Sequence, residues 1–198
     1  MQGVTTGAFS AKTFIRDVLT NPFNRSILER LPSLGLPDAW LVAGCLFQTV
    51  WNLHSARAPA AGIKDYDLFY FDASDLSARA EAAQSARIEH CYRDLGVVIE
   101  AKNQARVHTW YAEWFGFPYP ALADSRDGLD RFLVPCTCVG LQPQADKQQP
   151  PMLYAPNGLD DLYGGILRPN PLSDHRPLFR QKAKSYQDRW SWLQIVEH

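Results

Sequence analysis

Two textures divide the chain near Gly116. Upstream, apolar residues recur at helix or strand spacing over long runs. Phe14, Ile15, Val18 and Leu19 form one stripe behind Ser10, which predicts a capped helix to about Thr20. Asn21-Pro22 opens a second short helix that ends before Pro32. Residues 39–43 read as a buried strand, and residues 46–53 take helical spacing after a break at Gly44-Cys45. A second strand begins at Asp65 and runs through an apolar, aromatic stretch to Asp72. Asp75 and Ser77 precede an alanine-rich helix to about Leu95, with Gly96 as its left-handed stop. Residues 97–101 are a third strand and residues 103–115 a further helix rich in aromatics. Strands alternating with helices from Trp40 onward predict an α/β (α+β) fold, a mixed β-sheet layered with packing helices. Downstream, prolines from Pro118 to Pro177 punctuate short pieces, so loops dominate. Residues 142–151 read as an exposed loop, and residues 174–193 as a closing helix with Leu178, Phe179 and Trp190 on its apolar side.

A chain of 198 residues can bury one good core, which predicts a single domain over 1–198: a core at about 38–115 and a loop-rich accessory region at about 116–198. Its 20 basic and 21 acidic residues nearly cancel, so no global field gathers a long polynucleotide, and none is expected as partner. Cys45, Cys91, Cys136 and Cys138 show neither a CxxC pair nor disulfide-dense spacing, and no basic-then-apolar leader opens the chain. The expectation is a cytoplasmic protein with reduced thiols. Cys136 and Cys138 are expected buried in a short strand, since Cys-x-Cys alone is a weak zinc pattern. The longest apolar stretch, residues 39–53, is too short and too interrupted to span a bilayer.

The chemistry concentrates in residues 62–72. Asp65 and Asp67 stand two residues apart at the head of a strand, so both point to one face with a single pleat between them. Two adjacent ionised carboxylates are tolerable around a hard divalent cation, which Mg²⁺ supplies when bound by one or two carboxylates, water and substrate phosphates; otherwise they are simply a wet strand end. Glu100 sits inside a β-branched run, where an acid is costly unless paired or metal-bound. Its other readings are an edge residue facing water or a partner for Arg106 or Lys102. Gly44, at the strand-to-helix turn, lets a ligand approach the backbone, and the N–H groups of the helix start attract phosphate.

A glycine turn, Asp-x-Asp on the next strand and an acid on a third together resemble the nucleotidyltransferase superfamily that includes DNA polymerase β. More narrowly, the segments 43–52, 64–72, 103–108 and 154–162 look like a small bacterial family of uncharacterised nucleotidyltransferase-like proteins, a resemblance running from about Trp40 to Trp192. It implies a nucleotidyltransferase fold, a nucleoside triphosphate donor and two Mg²⁺ ions held by Asp65, Asp67 and Glu100. Where that superfamily usually has serine after the motif glycine, this chain has Cys45, and 20 residues separate Gly44 from Asp65, more than is usual.

Gly44, Cys45, Lys64 and Arg106 are the nucleotide-binding candidates. Arginine suits phosphate because its planar fork donates two parallel hydrogen bonds; the plainer roles are a salt bridge for Arg106 and a solvated stem for Lys64 and Lys102. His108 is a candidate donor or base, or a surface histidine. The turn at residues 157–162 reads as a short helix capped by Asn157. Three functions stay open: Mg²⁺-dependent transfer of a nucleoside monophosphate to an acceptor hydroxyl on a small molecule, protein or short RNA; a catalytically silent nucleotide- or partner-binding module; and a metal phosphohydrolase.

Overall fold

The computed structural model describes residues 9–146, 148–173 and 175–197. Two helices come first, α1 (Ala11–Val18) and α2 (Pro22–Arg30). Ser10 Oγ accepts from the Thr13 N–H and Asn21 Oδ1 from the Phe23 N–H, so each helix starts at the cap its sequence carries. Strand β1 (Trp40–Val42), helix α3 (Gly44–His54), strand β2 (Asp65–Tyr70), helix α4 (Ala78–Tyr92) and strand β3 (Val98–Asn103) follow in the expected alternation. Ser77 caps α4, and Gly96 at φ 65° ends the 3-10 turn after it.

Five strands form one mixed sheet in the order β3-β2-β1-β4-β5, where β4 is Gly140–Gln142 and β5 is Met152–Tyr154. Within this sheet β2 and β3 run parallel and the other pairs are antiparallel. The sheet therefore does not stop at residue 115, because two strands from the loop-rich half complete it. A second, two-stranded sheet pairs β6 (Ile166–Leu167) with β7 (Gln194–Ile195).

Period-two burial sorts β2 cleanly. Tyr66, Leu68 and Tyr70 are buried, while Asp65, Asp67 and Phe69 share the other face. The buried side joins the main core with Leu41, Leu46, Val50, Trp51, Ile88 and Tyr92. Trp51 and Trp190 are fully buried there, and each satisfies its indole N–H, Trp51 on the Leu162 carbonyl at 3.0 Å and Trp190 on Asn52 Oδ1 at 3.0 Å. On the opposite face Trp40, Val42 and Leu129 make a smaller cluster against Phe69 and Phe132.

The long connection from α3 to β2 is pinned twice. Asn52 Nδ2 donates to the carbonyls of Pro59 and Ala61, and Arg189 donates to that of Gly62 at 2.7 Å. Arg189 belongs to α8 (Arg176–Arg189), which ends before the buried Trp190 and not at residue 193; Asp174, the expected start, lies outside the described residues.

Other local expectations are corrected. Residues 103–115 form a 3-10 segment, Gln104–Thr109, and then α5 (Tyr111–Phe115), because Asn103 stays in β3 and its Oδ1 takes the Ala105 N–H. Cys136 and Cys138 are buried free thiols, but Pro135 starts a 3-10 turn there instead of a strand. Asn157 does not cap α7 (Asp160–Gly164); its Nδ2 donates to the Pro135 carbonyl at 3.1 Å. One short helix remains, α6 (Ser125–Leu129), capped by Asp124. No helix among the described residues is long and apolar enough to cross a membrane.

Candidate active site

A cavity of about 560 Å³ opens on the sheet face that carries the acids. Its floor is Asp65, Asp67 and Phe69 of β2 with Lys102 of β3, and Gly44, Phe47 and Gln48 of α3 close one side. The parallel register sets Glu100 beside Asp67 and Lys102 beside Phe69, so the three acids share one face of two adjacent strands. Glu100 lies outside the cavity wall, exposed on the edge strand.

Neither the Asp65 nor the Asp67 carboxylate accepts a hydrogen bond or closes an ion pair among the described residues. Burial, Asp65 and Glu100 push the Asp67 carboxyl up from 3.8 to about 7, against the opposing pull of Lys182 and Lys102. That crowding of negative charge is what a divalent cation would relieve, and the donor set is all hard oxygen, which fits Mg²⁺. Among the described residues no three acids, histidines or cysteines converge into a closed metal cluster. The fit is thus to an ion completed by water and phosphate, with Asp65 and Asp67 as the adjacent protein ligands.

The break between β1 and α3 is made by Ala43, not Gly44. Ala43 takes φ 54° and ψ −114°, outside the regions open to most L-residues, and its carbonyl receives the N–H groups of Leu46 and Phe47. Among the described residues the N–H groups of Gly44 and Cys45 have no backbone acceptor at the positive end of α3. Glycine at 44 leaves room here: an added Cβ would meet Gln48 Nε2 at 3.0 Å, so that side chain would have to give by a few tenths of an ångström, and would lie 3.9 Å from Asp67 and 4.0 Å from Asp65. Gln48 is fixed in turn by Arg189, which donates to its Oε1 at 2.8 Å.

The remaining sequence candidates separate. Cys45 turns its thiol into the core, donating to the Val42 carbonyl at 3.5 Å, and burial holds that thiol well above its ordinary pKa; what it offers the cavity is its backbone N–H. Lys64 is exposed and outside the cavity wall. Arg106 is engaged elsewhere, by an ion pair with Glu81 and a hydrogen bond to the Leu76 carbonyl at 3.1 Å, so it ties α4 to the segment after β3. His108 is also absent from the wall.

Sequence reasoning missed the opposite wall. Helix α8 lays Leu178, Lys182 and Tyr186 along one stripe facing the carboxylates, and Arg131, Phe132 and His175 come from the loop-rich half. The signal was a lysine four residues from apolar neighbours on each side, a charge set inside a hydrophobic stripe. Trp110, Tyr111, Phe115 and Tyr119 complete an aromatic end to the cavity.

The fold is that of a nucleotidyltransferase head domain. The sequence profile of the nucleotidyltransferase family matches residues 29–195, and the chain belongs to that family. Over 99% of its length it matches the whole of a solved structure described as "The NMR structure of the protein reveals a CCA-adding enzyme head domain", at TM-score 0.77 and 26% identity. A structure described as "tRNA-processing enzyme (apo form I)" matches 90% of this chain and 44% of its own at TM-score 0.53 and 14% identity, which is a likeness of fold alone. The search of curated proteins gives no match.

Proposed function

We propose that this chain, as one domain, moves a nucleoside monophosphate from a nucleoside triphosphate to an acceptor hydroxyl, with Mg²⁺ held at Asp65 and Asp67 and Glu100 beside them. The observation that supports this best is the pair of unpartnered carboxylates facing a cavity between the free N–H end of α3 and Lys182. The N–H groups of Gly44 and Cys45 and the ammonium groups of Lys102 and Lys182 bind the outer phosphates, spreading the charge that pyrophosphate carries away. The acceptor oxygen attacks the α-phosphorus, the bond to the β-phosphate oxygen breaks, and pyrophosphate leaves with the electron pair. The acceptor proton passes to a neighbouring carboxylate, for which Glu100, exposed on β3 in register with Asp67, is the candidate. Bound Mg²⁺ would neutralise the triphosphate and make the acceptor hydroxyl easier to deprotonate.

The acceptor is the less constrained side. The balance of 20 basic and 21 acidic residues favours a small molecule, a protein hydroxyl or a short RNA end over a long polynucleotide tract, and the match described as a CCA-adding enzyme head domain makes an RNA end the first acceptor to try.

The test is thermal shift with each ribonucleoside triphosphate, with and without Mg²⁺, on wild type and on Asp65→Asn and Asp67→Asn, since a ligand stabilises by mass action. A Mg²⁺-dependent shift lost in both variants, with pyrophosphate released in the presence of an acceptor, is the expected result. No shift with any triphosphate would overturn the donor reading. A shift without pyrophosphate release from any acceptor would leave a silent binding module.

A further inference from the structure

The cavity has two unlike ends. One carries Asp65, Asp67, Lys102 and Lys182; the other is aromatic, with the Tyr111 ring 4.6 Å from Phe115 and 4.3 Å from Tyr119 by centroids. Arg131 belongs to the aromatic end: its guanidinium lies over the Tyr119 ring at 5.6 Å and partly offsets the burial that raises the pKa of that tyrosine to about 12, whereas the cations that act on Asp67 are Lys182 and Lys102. The Arg131 Nε is closed off from solvent and has no hydrogen-bond partner among the described residues. The rest of the guanidinium lines the cavity beside a half-open aromatic wall, where its N–H groups suit a flat ligand with acceptor atoms on its rim.

We infer that this end is a nucleobase subsite, in which the Tyr111 and Phe115 rings stack against the base and Arg131 donates to its edge. The inference rests on the triphosphate reading, since it places base and phosphates at opposite ends of one cavity. Guanidinium donates and never accepts. It therefore favours bases that offer carbonyl acceptors, as the O6/N7 edge of guanine does, and adenine, whose acceptors sit beside an amino donor, gains least.

Inorganic tripolyphosphate separates the two ends because it has the charge and no base. Calorimetric titrations of the full chain with Mg²⁺-tripolyphosphate and the four Mg²⁺-triphosphates should show GTP, CTP or UTP binding at least about thirtyfold tighter than tripolyphosphate, the scale of one stacked ring and one charged hydrogen bond. Arg131→Ala should remove most of that advantage and Phe115→Ala a smaller part, while tripolyphosphate affinity, which also reports correct folding, stays within about twofold. Arg131→Lys, which keeps the charge and loses the planar fork, should behave like the alanine variant. Nucleotides binding no tighter than tripolyphosphate would overturn the subsite and leave the phosphate end standing. ATP as the tightest ligand, or an equal loss of tripolyphosphate binding in Arg131→Ala, would overturn the edge assignment, the latter making Arg131 a phosphate ligand. Failure of both ligand classes to bind would remove the donor reading and the subsite together.

Discussion

Asp67→Asn should make the metal-free protein more stable while it removes transfer. Burial raises the Asp67 carboxyl most, Asp65 and then Glu100 next, from 3.8 to about 7. In the unfolded chain the same group returns to its ordinary value. Between the two values the native state holds a proton that the unfolded state has lost, so stability falls as pH rises from about 4 to about 7 and is level above that. At about 1.4 kcal/mol per pH unit, the interval limits the cost of an ionised Asp67 at pH 8 to roughly 4 kcal/mol. Asparagine has the same shape and no charge. Partial solvent access and the new amide donors absorb part of the gain, which leaves about 1–3 kcal/mol, or about 3–10 °C in melting temperature for a chain of this size. The assay is thermal unfolding in a chelator from pH 4.5 to 8.5. The variant should melt higher at pH 8, the gap should close toward pH 4.5, and Mg²⁺ should stabilise the wild type alone. A variant that melts at or below wild type at pH 8, or a gap that ignores pH, would refute the account of this site as crowded, unpaired charge.

Three further outcomes follow from the same geometry. Gly44→Ala puts a methyl group 3.0 Å from Gln48 Nε2, against the face where phosphate enters; KM for the triphosphate should rise about tenfold with melting within about 3 °C, read by steady-state kinetics beside calorimetry. Lys182→Ala removes a cation that holds Asp67 down, so KM should rise and the acid limb of the kcat/KM profile should move to higher pH; an unmoved limb would place Lys182 outside the field of the carboxylates. Arg106→Ala strands the largely buried Glu81 carboxylate, which also takes the Asn103 N–H at 2.9 Å; urea unfolding should show a loss of about 2–4 kcal/mol, with KM for the triphosphate unmoved.

The half of the fold up to Asn103 is legible because its elements carry their own punctuation. Ser10, Asn21 and Ser77 mark helix starts by side chains that do cap them, and the alternation of Asp65, Tyr66, Asp67 and Leu68 fixes which face of β2 is wet. Strands β4 and β5 are three residues each, flanked by glycine or proline, and acquire their identity only by pairing with β1 and each other. Periodicity has nothing to act on in three residues. Arg106 shows the complementary failure: a cation near the acids in sequence is committed through space to Glu81, while Lys182 and Arg131, far away in sequence, face the cavity. Local pattern locates the acids, and only tertiary packing chooses the cations that serve them.

Strand β3 ends the sheet, and its outward residues Val98, Glu100 and Lys102 are exposed. A bare edge of this kind is a template on which another chain can extend the sheet, and charged side chains are the usual deterrent. Glu100 and Lys102 therefore also keep neighbouring molecules from docking strand to strand. Replacing both with valine would leave an apolar hexad at an open margin, so pure protein would gather into β-rich aggregates on storage, a colloidal defect separate from any loss of turnover.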